Sequence, residues 1–345
     1  MKPLRVAAFT GGKDISAARF RLRQYLPALS QALIAVDEFY SHLGSWPPNS
    51  KLKRPFWLVG TVAERIPAVL KSHHYDLTFL QRELVSTLST LERWTKRPRV
   101  FDVDDAVWLN RGGRTGFKSI LQMCDGVICG NDFIAEAARR WNSNICIIPT
   151  AVDTDRFVPA LAPSAAARQR QLIIGWSGLA VGLQNVYLIE ETIAQVMAKY
   201  PEAVFRVVAE APPKFRLLSP AQVEYVSWSP ESEVRAIQEM TVGIMPLTDS
   251  LWSRGKCSYK MLLYMSCAVP VVVSPVGMNA QVLSQGKVGL GARDPAEWAE
   301  ALTLLLQDRA LADEMGTAGR CVIEQHYALR KLAPRLASFL RAVAG

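Results

Sequence analysis

The chain has 345 residues, half of them hydrophobic, with a formal net charge of +9. That is long for one average domain and comfortable for two, each with its own core, and no run of ~20 apolar residues exists to make a spanning helix. The charge is uneven: residues 1–149 carry 21 basic and 13 acidic side chains and residues 150–345 carry 19 and 18, so the first half suits an anionic partner (a lipid diphosphate, a bilayer surface or nucleic acid) or is simply solubilising.

Leu4 to Phe9 reads as a first strand and not a signal peptide, because Arg5 interrupts it and no small-residue cleavage site follows. It ends at Thr10-Gly11-Gly12. The next helix carries Arg19, Arg21 and Arg23, with Tyr25, Leu26 and Leu29 on its apolar side and a kink at Pro27. Ile34 to Tyr40 contains a strand, Ser45 to Pro55 is a Pro-rich loop, and Phe56 to Leu70 is amphipathic and divided at Pro67. Further strands are expected at Asp76 to Gln81, Val100 to Val103, Asp125 to Gly130 and Ile145 to Pro149. Alternation of this kind argues an α/β domain with a parallel, doubly wound sheet. Gly11-Gly12 lacks the third glycine of the dinucleotide fingerprint, which disfavours a dehydrogenase. Ligands of such sheets sit beyond the carboxyl ends of the strands, which gathers Gly11, Gly12 and Arg19 near Asp102, Asp104 and Asp105. Three carboxylates there repel one another. They raise one pKa, recruit a cation or a hydroxyl, or only cap the next helix; a metal-binding aspartate pair is the competing reading.

Asn131 and Asp132 can start a helix, and Pro159 to Arg170 reads as a linker or surface excursion. A second α/β domain opens with a strand from Gln171 to Trp176, followed by Ser177-Gly178 and a helix from Val186 to Tyr200. Strands follow at Val204 to Ala209 and Val223 to Trp228, with a helix start at Ser229-Pro230. Gly243 to Asn279 carries the most chemistry. A short apolar run to Leu247 leads into a polar loop containing Arg254-Gly255-Lys256. Ser258 is placed to cap a short, apolar, buried helix beginning near Tyr259, and Pro270 to Ser274 forms the next strand. A helix N-terminus offers unpaired N–H groups and about half a positive charge. Arg254, Lys256 and Lys260 add full charges, and Gly255 lets a backbone approach closely, so a diphosphate fits; the alternative is a solvated basic loop. The tail is helical from Pro295 to Leu306 and from Ala310 to Gln325. A last helix begins at His326-Tyr327, with Arg330, Lys331, Arg335 and Arg341 as a solvated face. Cys124, Cys129, Cys146, Cys257, Cys267 and Cys321 have no zinc spacing and sit mostly in apolar runs, which reads as free thiols in a reducing compartment. No aromatic-interleaved basic repeat supports nucleic acid as a partner.

WSRGKCSYKMLLYMSCAVPVVVSPVG resembles the donor-binding segment of family 4 glycosyltransferases, in the branch with Trp-x-Arg-Gly-Lys-Cys before the helix, and CDGVICGND, from Cys124 onward, is similar to the same family. The resemblance implies a GT-B fold: two Rossmann-like domains with an interdomain cleft. Residues 1–150 would be the acceptor domain, 151–170 a linker, 171–325 the nucleotide-sugar donor domain, and 326–345 a final helix crossing back. It implies a retaining transfer from a nucleotide diphosphate-sugar to a hydroxyl acceptor, without metal or other cofactor, in cell-envelope polysaccharide or glycolipid synthesis. Lys256 and Lys260 would stabilise the departing diphosphate, with Arg254, Gly255, Cys257, Ser258 and Tyr259 around it. Ser177, Gly178, Gly11 and Gly12 would line the donor. Val226 and Trp228 would lie near the base, Trp228 being equally a packing residue. Asp104 would face the donor sugar or the acceptor hydroxyl, with Asp105 beside it and Asp102 in its place if the register slips. Arg19 and Arg21 would meet an anionic or lipid-linked acceptor. The basic first domain implies peripheral membrane contact and a cytoplasmic place at the inner face. Two departures stand out. Leu183-Gln184-Asn185 occupies the place of a phosphate-binding basic residue, and Leu263 and Gly255 stand where the family has two glutamates, the later one on the ribose. A GT-B nucleotide-sugar epimerase and a non-catalytic nucleotide-sugar-binding subunit remain alternatives.

Overall fold

Two sheets of six parallel strands organise the chain, one in each of two units. The computed structural model describes residues 2–13, 15–44, 46–86, 88–110, 112–160 and 171–345. Half of the expected linker, residues 161–170, therefore lies outside the described residues. The first unit takes in residues up to Ala151, Arg254–Cys257 and Leu329–Gly345; the second takes in Val152–Ser253 and Ser258–Ala328. The tetrapeptide Arg254–Cys257, expected in the second domain, is thus part of the first unit.

In the first unit β1 (Leu4–Thr10), β2 (Ile34–Tyr40), β3 (Leu77–Gln81), β4 (Arg99–Val103), β5 (Gly126–Cys129) and β6 (Ile145–Ile147) lie in the order β2-β1-β3-β4-β5-β6. Every residue of β3, β4 and β5 is buried. Parallel strands covered on both faces are mostly apolar, and the buried polar groups among these, such as Asp102 and Arg99 of β4, are bonded within the fold. The edge strand β2 instead alternates towards exposure. The arginine-bearing helix is two helices, α1 (Ser16–Arg21) and α2 (Leu26–Gln31), because Pro27 sits in the first turn of the second, where its missing N–H is no loss. Then come α3 (Arg54–Lys71), which runs unbroken through Pro67, α4 (Gly113–Met123) and α5 (Asp132–Arg139).

In the second unit β7 (Ile173–Ser177), β8 (Val204–Ala209), β9 (Val223–Ser227), β10 (Val242–Met245), β11 (Val271–Val273) and β12 (Gly289–Gly291) lie in the order β12-β11-β10-β7-β8-β9. Its helices are α6 (Leu183–Tyr187), α7 (Glu190–Lys199), α8 (Pro230–Gln238), α9 (Leu251–Arg254), α10 (Tyr259–Ser266), α11 (Met278–Leu283), α12 (Pro295–Gln307) and α13 (Arg309–Val322). Arg254, the last residue of α9, is the exception and counts with the first unit. The core joins Trp176, Phe205, Ile244 and Val272 of the sheet to Trp298 and Leu302 of α12.

The last helix, α14 (Leu329–Ala344), belongs to the first unit. Leu332, Leu336 and Leu340, at helical spacing, complete the core of Leu4, Val6, Leu29 and Ile128. Its cations do not form the merely solvated face expected from sequence. Arg335 donates to the Ile147 carbonyl at 2.9 Å and Arg341 to that of Ala32 at 2.5 Å.

Candidate functional site

The second sheet reverses its strand order between β7 and β10. A ligand crevice forms at such a point, beyond the carboxyl ends of the strands. Here β7 ends in Ser177-Gly178. The Ser177 amide donates to the Tyr264 hydroxyl at 2.8 Å, and the Gly178 amide to the Val208 carbonyl at 3.0 Å. Tyr264 lies wholly buried in α10, and burial pushes its phenol up, so it stays a neutral strut. Its ring fits because position 243 is glycine; a methyl there would stand 2.5 Å from Tyr264 Cγ. Lys260, in the first turn of α10, reaches back over the same turn. Its ammonium is 5.5 Å from the Trp176 ring centroid. A methyl at Gly178 would collide with Lys260 Cε and stand 3.1 Å from its Nζ. Glu210 closes the far side by accepting the Ala180 amide at 2.9 Å. First-turn amides and a lysine beside a glycine turn are the donors an anion needs.

The first sheet reverses between β1 and β3. At the end of β1 the carbonyls of Gly12 and Lys13 are held by Arg23, which also pairs with Glu38 at 2.8 Å. Glu38 accepts the Thr10 hydroxyl as well. Directly after β3, Arg82 adopts φ 62°, a conformation rare for a residue with a side chain. From there its guanidinium bridges two carboxylates. Nε donates to Asp104 Oδ1 at 2.8 Å and Nη2 to Asp105 Oδ2 at 2.5 Å. Burial works against both anions. Arg82 overcomes it at Asp104, whose pKa falls below the usual carboxylate range. Asp105 is pushed up by burial and by Asp104, with Arg82 and Lys256 opposing. Two adjacent carboxyls pulled in opposite directions give one firm anion and one group better able to carry a proton.

Arg254–Cys257 belongs to this unit too. Asn131 works at both ends of its amide. Its oxygen accepts the Ile134 amide and so starts α5, while its nitrogen donates to the carbonyls of Gly255 and Lys256 at 3.1 Å each. The buried Cys257 thiol donates to the Asp104 carbonyl at 3.1 Å, and burial pushes its pKa up. A Cβ at position 130 would collide with that sulfur, so Gly130 permits the contact.

Several residues expected at a ligand are engaged otherwise. Arg21 and Asp102 are buried and paired, with Nε to Oδ2 at 3.0 Å and Nη2 to Oδ1 at 2.5 Å, and Arg21 also donates to the Ile148 carbonyl at 2.8 Å. Neither is presented to an acceptor; they brace the sheet. Ser258 precedes α10 but with φ 51°, and its hydroxyl does not cap the helix. Gly255 admits Ala106, whose Cβ would stand 2.6 Å from an added methyl, so its backbone approach is to protein. Cys257 is turned into the first unit. Lys256 and Lys260, expected as a pair, fall to different units: Lys256 acts on Asp105, Lys260 lies by Gly178. Arg19 lies over the Phe20 ring at 4.3 Å. Arg254 is exposed and Tyr259 half-buried. Val226 and Trp228 are half-buried at the end of the edge strand β9, where the Trp228 amide donates to the Ala209 carbonyl. Gly11 and Gly12 are buried at the end of β1. Leu263 is buried in α10, and Leu183 in α6.

Sequence reasoning missed Arg82, Tyr264 and Asn131's second role. Arg82 had a signal, since it immediately follows an expected strand. Tyr264 had none, lying in a helix that reads as apolar on most sides. Among the described residues no group of three or more His, Cys, Asp and Glu is placed to hold a metal.

Residues 172–308 match the family model described as Glycosyl transferases group 1. No curated protein matches the chain. Among solved structures, sucrose-phosphate synthase from Thermosynechococcus elongatus is similar over 98% of this chain and 98% of its own, with a TM-score of 0.72 and 17% identity. HepE of Anabaena in complex with UDP is similar over 99% and 100%, with a TM-score of 0.69 and 15% identity. WaaG, a glycosyltransferase involved in lipopolysaccharide biosynthesis, is similar over 97% and 99%, with a TM-score of 0.64 and 12% identity. At these identities the likeness is one of fold. The chain has the GT-B architecture of two Rossmann-like domains, and the segment matched by the family model spans the whole of the second sheet.

Proposed function

We propose that this chain transfers a glycosyl group from a nucleoside diphosphate-sugar to a hydroxyl acceptor, with retention of configuration, in the making of a cell-envelope polysaccharide or glycolipid at the cytoplasmic face of a membrane. The observation that carries the reading is Lys260 drawn across the Gly178 turn, at the switch point of the sheet that matches the transferase model. The bond to the leaving diphosphate breaks there, negative charge develops on its oxygens, and Lys260 with the first-turn amides of α10 receives it. Lys256 is the second candidate for that charge. HepE, of the same fold, is described in complex with UDP and with UDP-glucose, which supports a nucleotide-sugar as donor. Val226 and Trp228 flank the base, and the Ser177-Gly178 turn lines the donor. In the first unit Asp104, kept ionised by Arg82, orients a hydroxyl of the acceptor or of the donor sugar, and Asp105 is the group able to exchange a proton.

The test is a thermal-shift panel of UDP-, GDP-, ADP- and dTDP-sugars, followed by nucleotide release from the best stabiliser. A true donor at 100 times its Kd adds about 2.7 kcal/mol of stability. Lys260→Ala should lower release about 10²–10³-fold while the fold persists; full activity in both Lys260→Ala and Lys256→Ala ends the assignment. One observation favours a second reading. Leu263, where the family has its ribose-holding glutamate, is buried, which suits a subunit that binds the donor without turnover. Stabilisation without release, with or without candidate acceptors, would select it.

A further inference from the structure

α3 is fixed from one side only. Thr61, Arg65 and Val69 point inward. Arg65 donates to the carbonyls of Thr10 at 2.7 Å and Phe39 at 3.1 Å, and burial lowers its pKa to about 10. Glu64 accepts from the Ser41 hydroxyl and the His42 amide. The opposite side carries Phe56, Val59, Ala63, Ile66 and Leu70, at alternating steps of three and four that make one stripe, and Leu52 extends it from the 3-10 turn Lys51–Lys53 just before the helix. All are exposed, Leu52 at 84%, Phe56 at 81%, Val59 at 69% and Leu70 at 65%. Trp46, just before the helix, is exposed as well. A solvent-facing helix side normally carries charge, so the pattern is inverted.

The ends of the stripe are cationic. Lys51, Lys53 and Arg54 are exposed at its start and Lys71 at its close, with His73 and His74 beyond. The sole acid from 51 to 74 is Glu64, which is turned inward. Three cations beside a helix N-terminus oppose its dipole, so they are placed against the helix's own stability. Among the described residues no helix is long and apolar enough to cross a membrane. An apolar stripe with cationic ends on a non-spanning helix has the chemistry of an in-plane anchor.

We propose that α3 is an interfacial anchor: its Leu52-to-Leu70 stripe enters the headgroup layer of an anionic bilayer, while Lys51, Lys53, Arg54 and Lys71 bind the lipid phosphates. The inference rests on the membrane placement proposed above and supplies its contact surface, but it does not depend on the transfer reaction, so vesicle binding and donor binding fail separately. Charge argues against a second copy as the occupant. Two stripes laid together, parallel or antiparallel, bring cationic end against cationic end. An anionic lipid surface meets the stripe and both ends at once.

The experiment is co-sedimentation of the full chain with vesicles of phosphatidylcholine containing roughly one-third phosphatidylglycerol, and with phosphatidylcholine alone. The wild type pellets with the anionic vesicles and far less with the neutral ones, and rising salt weakens the binding. The paired substitutions Phe56→Glu and Val59→Glu lower partitioning about tenfold or more. Their circular dichroism melt matches that of the wild type, since both positions face solvent. Lys51→Glu with Lys53→Glu weakens binding to anionic vesicles and leaves the weak neutral binding unchanged. Wild-type protein that stays in the supernatant, or a Phe56→Glu/Val59→Glu protein that pellets as well as wild type, overturns the proposal. So does a dimer in sedimentation velocity that this variant dissociates while vesicles remain unbound.

Discussion

The two switch points use opposite devices. In the first unit the strand ends are lined with full charges locked in pairs: Arg23 with Glu38, Arg82 with Asp104 and Asp105, and Arg21 with Asp102 behind them. In the second unit the corresponding turn is built from small residues, backbone amides and a neutral tyrosine hydroxyl, with Lys260 laid across it. Paired charges hold a geometry and set pKa values without creating a strong net field. The first-turn amides of α10 and a lysine laid over the glycine turn present positive potential to whatever binds. The first arrangement suits the orienting of a hydroxyl and the second the holding of a phosphate.

The comparison breaks most sharply at Arg21. Arg21→Ala leaves Asp102 buried without its partner and should cost about 3–5 kcal/mol in urea unfolding, whereas Arg21→Met with Asp102→Leu should recover most of it. If the single variant is as stable as wild type, the pair is not the brace described. Next is Lys260→Ala, which should lower turnover about 10²–10³-fold at nearly unchanged stability, because in the proposed reaction its charge acts on a developing anion and not on the fold. An Arg82→Ala protein tests the same contrast from the other unit, since it should alter the pH profile of turnover, which Lys260→Ala should leave in shape. Tyr264→Phe ranks third. It removes the acceptor of the Ser177 amide and should cost about 1–3 kcal/mol with a raised KM for donor. An unchanged KM would mean the turn keeps its shape without the hydroxyl.

Much of the fold is legible because strands buried in a parallel sheet are mostly apolar. Leu77–Gln81, Arg99–Val103 and Ile173–Ser177 stand out against polar neighbours and fall within a residue or two of where the sequence places them. β12 is invisible for the same reason: Gly289–Gly291 has two glycines in three residues and no apolar run. The candidate site is less legible. Periodicity reports which side of an element a residue takes, not which partner it meets. Nothing local joins Arg21 to Asp102, 81 positions away, or Ser177 to Tyr264, 87 away. Composition likewise marks 254–257 as a basic loop, but whether its glycine receives a phosphate or Ala106 is decided by the whole first unit.

The smallest effect tests whether the locking seen in the first unit extends to α3. Glu64 is partly exposed, and burial alone would raise its pKa. Bonds from the Ser41 hydroxyl and the His42 and Leu43 region outweigh that and bring it down to about 2. A carboxyl whose folded pKa lies below its unfolded one stabilises the fold above the unfolded value, and the contribution is lost as pH falls through the folded value. For Glu64 the loss runs from about 4.5 down to about 2. Solvent screening at this partly exposed site reduces the effect to roughly 1 kcal/mol. Glu64→Gln should therefore melt a few degrees below wild type at neutral pH, and the gap should narrow as the solution is taken from pH 5 to pH 3. A gap that stays constant over that range would mean the carboxylate's charge contributes nothing, and that α3 is held by Arg65 and its apolar contacts alone.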